Sequence, residues 1–523
     1  MDFCSPDDLS PPATPPSTST MSLCRTGRAR PTLHPCAIPP THQNKIDYIG
    51  RAKSIFQLFD GHYKQLLITE LLGCCDNQLL SQIHTLIAPK LKVDFLRQLP
   101  SEIAFQILSF VDPPTLAQCD KVSGYWHSLL QDDTTWKSLC LKHHYCHRFP
   151  VLQSMSFRNH FIRRYKIEHA WAQDTGSIVH CPNDIGSGLV TSLQMDDKFI
   201  VVGCDNRRIE VYDSTNGKFI RTLRGHEGGV WALQFIQLEN GKHRLISGGC
   251  DRQVRVWDLP NGCPLHVLRG HTSTIRCLKV RDSKIAVTGS RDTTLRIWDI
   301  EHGTLKHVCT GHQASVRCLE VHGNLVASGS YDATARLWDI ETGECIFVLS
   351  GHHSQIYAIA FDGIRIVTGS LDSNIRIWCA QTGKCIAFLQ GHTSLVGHLQ
   401  LLKPITPSDL PLLVSGASDG CLRVWNLETN ECIHRISAHD NSITCLQVEG
   451  KRILSGGSDG QVKLWDIDTG HLLRPFTLPG KSVWRLQFND TKAVVILQRR
   501  SQPDTETLHT AIELHDFDNY SKP

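Results

Sequence analysis

The chain has 523 residues, 41% of them hydrophobic and 20% charged, with a net charge of +3. That length exceeds what one compact core holds, so two or more units are expected. The near-neutral balance argues against bulk electrostatic attachment to nucleic acid, and no run of about 18 apolar residues marks a membrane span.

Residues 1–44 are rich in Pro, Ser and Thr and are expected to be a disordered tail. They lack the basic-then-apolar layout of a secretory signal, so the 21 Cys read as reduced thiols in an intracellular reducing compartment, nucleus or cytoplasm. Cys277, Cys318, Cys345, Cys385 and Cys445 recur at strand positions, where Cys behaves as a small buried hydrophobe. Within the tail, Thr14-Pro15-Pro16-Ser17-Thr18 invites the reading of an internal pseudo-ligand; a plain Pro-rich tail is the blander one.

Across 46–90, apolar residues cluster at helical spacing (Ile55, Phe56, Phe59, Leu66, Leu67, then Leu79, Leu80, Ile83). Gly73 and Asp76-Asn77 read as a helix stop and a new N-cap, giving a helical hairpin with more apolar surface than it can bury alone. Residues 94–140 form a second helical unit. Its Leu99-Pro100, Ile103, Ile107-Leu108, Phe110, Leu116, Trp126 and Trp136, in that order, resemble the F-box, the short module that docks on the Skp adaptor of cullin ubiquitin ligases. The alternative is a helical cap that buries those side chains internally. Residues 141–172 continue as a helical linker, whose Arg158, Arg163, Arg164 and Lys166 read as a solvated face. Cys140, His143, His144, Cys146 and His147 lack the paired spacing of a zinc finger, so no metal or other cofactor is expected.

From 173 to 520 the chain repeats. Trp257, Trp298, Trp338, Trp378, Trp425 and Trp465 are spaced 41, 40, 40, 47 and 40 residues apart. Each follows a Gly-His or Ala-His pair, which is the signature of a WD-repeat blade. A blade with Tyr212 in the Trp place precedes them. A degenerate blade around Ser482–Phe517 follows, completed by a strand near Ile178-Val179. The expected fold class is therefore α plus all-β: an N-terminal helical segment and F-box, then an eight-bladed β-propeller whose ends meet. The recurring His, Ser or Thr, Asp and Trp are expected to hydrogen-bond one another structurally rather than to catalyse.

Function is sought where the repeat is broken. One position reads Thr191, Trp231, Arg276, Arg317, Tyr357, Gly397, Thr444 and Trp484 through the blades. A second reads Cys204, Cys250, Arg291, Tyr331, Leu371, Ser418 and Ser458, with Arg500 taken as the counterpart in blade eight. Arg485 and Arg500 lie across the channel from the other arginines, and Arg252 is a peripheral addition. Three guanidiniums converging on one place repel unless an anion sits among them, and the planar fork suits phosphate. Aromatic walls suit Pro or aliphatic side chains, so a phosphorylated, Pro-containing peptide is the expected ligand. The alternative pairs each Arg with an acid of its own blade, such as Asp292 or Asp332.

Residues 46–520 are similar to the cell-division-control F-box/WD-repeat adaptors, which read phosphodegrons for SCF ubiquitin ligases. The most specific stretch runs from Gly270-His271-Thr272-Ser273-Thr274-Ile275-Arg276 to Tyr331-Asp332. The resemblance implies that the matching arginines bind a central phosphothreonine, with Ser273 and Thr274 lining the pocket. It also implies that 46–90 is a dimerisation segment, that the Skp adaptor and cullin-RING core are partners, and that the protein is not an enzyme. A WD-repeat scaffold or transcriptional co-regulator is the other class considered.

Overall fold

The computed structural model describes residues 42–518 apart from 92–93, 144, 146–155, 183–184, 186–187, 240, 403–409 and 501–507. Thr14 and its neighbours therefore lie outside the described residues. The chain divides after Pro100 into two compact units.

The first unit holds α1 (His42–Leu58), α2 (Gly61–Gly73), α3 (Asn77–Leu91) and α4 (Phe95–Gln98). The Asp76 carboxylate accepts from Leu79 N at 2.8 Å and starts α3, as the sequence indicates. A second N-cap lies upstream. Asp60 accepts from Tyr63 N at 3.1 Å and splits the expected hairpin into three helices. Tyr48, Ile49, Leu58, Leu66, Leu71 and Leu86 are all exposed, so these helices do carry an unburied apolar surface.

The second unit begins with α5 (Ser101–Ser109), α6 (Pro113–Cys119), α7 (Gly124–Gln131), α8 (Asp133–Lys142) and α9 (Phe157–Gln173). Asp112 caps α6 through Thr115 N, and Ser123 caps α7 through Trp126 N. Leu108, Leu116, Leu130, Trp136 and Leu139 are buried, and Trp136 Nε1 donates to Leu130 O at 2.8 Å. The basic run on α9 is not the solvated face expected of it. Arg158 pairs with Asp120 at 3.3 Å, Arg164 with Asp490 at 2.9 Å, and Arg163 with Asp518. Those acids lie far away in sequence, so no local pattern announces them. Of the Cys/His cluster, His144, Cys146 and His147 lie outside the described residues. His143 stacks on Tyr145, and Cys140 is buried.

Eight four-stranded antiparallel sheets follow. Their innermost strands are Val190–Met195, Val230–Gln237, Ile275–Val280, Val316–His322, Ile356–Phe361, Val396–Leu402, Ile443–Glu449 and Ser482–Phe488. Ser177–Cys181, from ahead of blade one, pairs antiparallel with Leu508–Asp516 and supplies the outermost strand of blade eight, with Val179 opposite Leu514. A segment from each end of the ring thus completes one sheet, and the ring closes.

Inside each of the six regular blades the same polar chain recurs. In blade three, Trp298 Nε1 donates to Thr288 Oγ1 (2.8 Å), Thr288 meets His271 Nε2 (2.8 Å), and His271 Nδ1 meets Asp292 (2.7 Å). A neutral imidazole with its proton on Nδ1 satisfies every partner. Burial alone would raise the Asp292 carboxyl, but hydrogen bonds from His271 and Thr294 outweigh it and hold the group well below the usual carboxylate range. Burial likewise holds His271 low, against the pull of Asp292. The thiols of Cys277, Cys318 and Cys445 follow the expectation of inert packing, and burial pushes Cys445 up to about 11. Cys385 departs from it, standing exposed on an outermost strand.

Candidate functional site

The first of the two broken positions has a structural identity that the sequence does not reveal. In every blade it is the residue where the register between the innermost strand and its neighbour slips by one. In blade three Ile275 faces Ser290 and Cys277 faces Gly289, so Arg276 is the extra residue of a β-bulge. A bulge re-aims its side chain out of the regular alternation. Eight bulges give eight residues at equivalent positions around the channel, seven of them with a side chain.

Not all of them project. Thr191 turns onto the backbone, its hydroxyl bonding to Gly203 O at 3.0 Å and to Val230 O. Thr444 does the same with Gly456 O (3.1 Å) and Val483 O (2.7 Å), and Gly397 has no side chain. That leaves Trp231, Arg276, Arg317, Tyr357 and Trp484. Arg276 lies over the Trp231 ring at 4.6 Å, and Arg317 lies over Tyr357 at 5.8 Å. Tyr357 in turn packs on Tyr331 with centroids 5.1 Å apart. Burial first, then the Tyr331 hydroxyl, pushes the Tyr357 phenol up, so its ring stays a neutral wall.

Arg291 is exposed at the start of its turn, and its backbone N donates to Thr274 O at 2.9 Å. The neighbouring Ser273 carbonyl accepts from Ser290 Oγ at 3.0 Å. Both carbonyls are thereby committed, while the Ser273 and Thr274 side chains are half-exposed beside Arg276. The pairing of each arginine with an acid of its own blade is not what the structure has. Asp292 and Asp332 face His271 and His312, and among the described residues Arg276, Arg291 and Arg317 form no ion pair.

Three assignments change. In blade eight, Ser482 faces Gln498 where Thr274 meets Arg291, so Gln498, not Arg500, is the register counterpart of Arg291. Arg500 lies two residues further on the same face, because this strand runs on as Lys492–Arg500 where the others turn. In blade one, Cys204 pairs with Val190 as Ser290 pairs with Ile275, which makes Asp205 the counterpart of Arg291. Arg485 is anchored to the backbone: its Nε donates to Thr191 O at 2.9 Å and ties blade eight to blade one. Arg252 stands at a left-handed turn position (φ 67°) that Arg207, Thr293, Ala333 and Ser373 also occupy, and that Gly420 and Gly460 fill in blades six and seven.

On the helical module, Leu108, Leu116 and Trp136 are packed in its own core and present no free surface. Ile103 and Phe110 of the second unit are exposed, at 43% and 76%, while Ile107 and Trp126 are half-buried. Leu99 and Pro100 close the first unit, with Leu99 N donating to Leu96 O at the end of α4.

Comparison with known proteins agrees with this architecture. An F-box-like family model matches residues 96–142. The WD domain, G-beta repeat model matches 217–258, 262–299, 303–339, 343–379, 383–426 and 430–466. The matched ranges begin at the outer strand of blade one and end in blade seven. The chain is an F-box and WD40 repeat protein. It is 30% identical over 244 residues to Cell division control protein 4 of Saccharomyces cerevisiae, covering 43% of this chain and 30% of that one. It is 25% identical over 240 residues to a protein of Trichophyton verrucosum named as probable E3 ubiquitin ligase complex SCF subunit sconB, covering 38% and 35%. The matches thus span about a third of the length of these relatives. The crystal structure of the computationally designed Ika8 protein superposes with a TM-score of 0.55 at 34% identity, covering 62% of this chain and 96% of that one.

Proposed function

We propose that the protein is a non-catalytic substrate-recognition subunit of an SCF-type ubiquitin ligase. The helical module docks the Skp adaptor and cullin core, and the propeller rim binds phosphothreonine-Pro peptides. The supporting observation is the trio Arg276, Arg291 and Arg317: adjacent-blade guanidiniums, two of them held by aromatic rings, with no acidic partner among the described residues. Structural repeats do not require Arg there, and the six regular blades meet their internal polar needs without it. Phosphate satisfies such a cluster by bidentate, charge-assisted bonds, and Trp231, Tyr331, Tyr357 and Trp484 give flat apolar contact for the peptide.

The exposed Ile103 and Phe110 support docking by the helical module, and the exposed apolar residues of α1 to α3 support a homodimer through residues 46–90. In this reading no group of the chain transfers ubiquitin. The adaptor raises the local concentration of substrate beside the charged conjugating enzyme.

The test is affinity for a phosphothreonine-Pro peptide. Arg276→Ala, Arg291→Ala and Arg317→Ala should each cost roughly 1.5–3 kcal/mol. A loss under about 0.5 kcal/mol for all three would remove the rim from the reading. Recovery of Skp and cullin with the tagged protein, lost in Leu99→Ala with Ile103→Ala, separates a ligase subunit from a WD-repeat scaffold.

A further inference from the structure

Below the rim, the channel wall lines an open cavity of about 370 Å³. The residue following each bulge is small in six blades: Ser192, Ala232, Cys277, Cys318, Ala358 and Cys445. Two blades break this second pattern, with His398 in blade six and Arg485 in blade eight, and both line the cavity together with Arg317. The wall carries one ion pair, Lys279 to Glu320 at 2.8 Å, in which the charges cancel. Arg317 and Arg485 then remain as two positive charges without an acid among the described residues. Arg485 uses Nε and Nη1 on the Thr191 and Trp484 carbonyls, which are neutral acceptors.

Access is built in on the same side. Gly397 and the down-turned Thr444 leave a gap in the rim between Tyr357 and Trp484, and a Cβ placed on Gly397 would meet nothing within 4 Å. His398 follows Gly397 on the same strand and lines the same cavity. Burial, then Arg485 and Arg317, holds its imidazole down at about 4, so at neutral pH it adds no charge of its own but stands close to both guanidiniums.

We propose that the channel beneath Gly397 is an oxyanion site, distinct from the rim, in which Arg317 and Arg485 hold a small carboxylate or phosphate group beside His398. It goes beyond the rim reading and shares only Arg317 with it. The oxyanion is either a free anion or an acidic side chain of the same bound peptide, since both present the same group to the two arginines. Two guanidiniums on the wall of one cavity favour such a guest by mutual repulsion relieved as well as by direct bonds.

The experiment separates this site from the rim. The full chain carrying Arg276→Ala and Arg291→Ala is titrated with inorganic phosphate while the His398 ring resonance, assigned by its loss in His398→Gln, is followed. The site requires a saturable shift and a rise of the His398 pKa by roughly one unit or more, both abolished by Arg485→Gln. Because Arg485→Gln also loosens the blade-eight seam, His398→Asp provides an independent readout. An internal carboxylate between the two arginines should raise Tm by about 2 °C or more and eliminate phosphate binding. A wild-type His398 resonance that ignores phosphate, together with an unchanged or lower Tm in His398→Asp, overturns the site whatever the rim does.

A peptide arm identifies the source. Phosphothreonine-Pro peptides with Glu stepped along the sequence should gain at least 5-fold in affinity at one offset if the anion belongs to the peptide, a gain lost in His398→Asp. With the phosphate shift present and no offset favoured, the guest is a free anion.

Discussion

The guanidinium of Arg276, on blade three, lies 4.6 Å above the indole of Trp231, on blade two. Two bulged residues of neighbouring blades therefore form one unit, a charge held by a ring across a blade boundary. The indole is itself fixed, with Nε1 donating to Cys250 Sγ at 2.9 Å. A side chain with four rotatable bonds gains a defined position in this way before any ligand arrives, which lowers the ordering cost of binding.

Trp231→Ala should therefore weaken phosphothreonine-Pro peptide binding by about 1 kcal/mol through loss of the cation–π contact, although the indole need not touch the phosphate. Trp231→Phe should restore part of it. Calorimetric titration of both variants checks this, and a melting curve close to wild type separates the effect from unfolding.

The polar chain inside the blades predicts stability rather than function. Thr288→Val removes the hydroxyl between Trp298 Nε1 and His271 Nε2, stranding a buried donor and a buried acceptor. Each stranded group costs about 1–3 kcal/mol, to be read from denaturant midpoints at constant m-value. Thr288→Ser should be nearly silent, because Ser247 and Ser328 fill the same place in blades two and four.

How much of this the sequence carried depended on the range of the signal. The Trp and Gly-His spacing announced the blades, and even blade one was legible through Tyr212. Its turn position was misjudged because that blade has no His-Asp pair; Asp205 instead accepts from Leu189 N at 2.9 Å. Arg500 was misplaced because the strand at Lys492–Arg500 overruns the turn that other blades make. Arg276, Arg291 and Arg317 stood out as departures from a repeat, which needs only alignment of the chain with itself. The bulge that aims two of them, the Trp231 contact and the meeting of Arg317, Arg485 and His398 in the channel all require the closed ring. So do the partners of the α9 arginines.

Acid should loosen the propeller before it reaches the carboxylate range. His271, His352, His439 and His398 are all held below their ordinary value, by burial first in each case. A histidine with a depressed folded value is protonated first in the unfolded chain. Its contribution is complete above its ordinary 6.5 and is lost as pH falls toward the folded value, about 4 for His398. Asp292, Asp332 and Asp419, held low, withdraw their share only below their ordinary 3.8. Melting curves at pH 7.5, 5.5 and 4.5 should show Tm falling across this whole interval, which a chain depending on carboxylates alone would not do.

Trp171 of α9 is fully buried, stacked on Phe517 with centroids 4.1 Å apart and flanked by Phe476 and Phe488. Its Nε1 donates to Asp490 O at 2.8 Å, and its own carbonyl accepts from Arg474 Nε at 2.7 Å. One side chain thus fastens the helix to blades seven and eight, close to where the ring closes. Trp171→Ala should cost about 3–5 kcal/mol. It should also expose the α9 boundary to limited proteolysis, releasing a folded propeller. Trp171→Phe keeps the stacking but removes the Nε1 bond to Asp490 O, and should cost about 0.5–1.5 kcal/mol. If Trp171→Ala left both the melting curve and the proteolysis pattern unchanged, α9 would be held by its arginine pairs to Asp490 and Asp518 rather than by this contact.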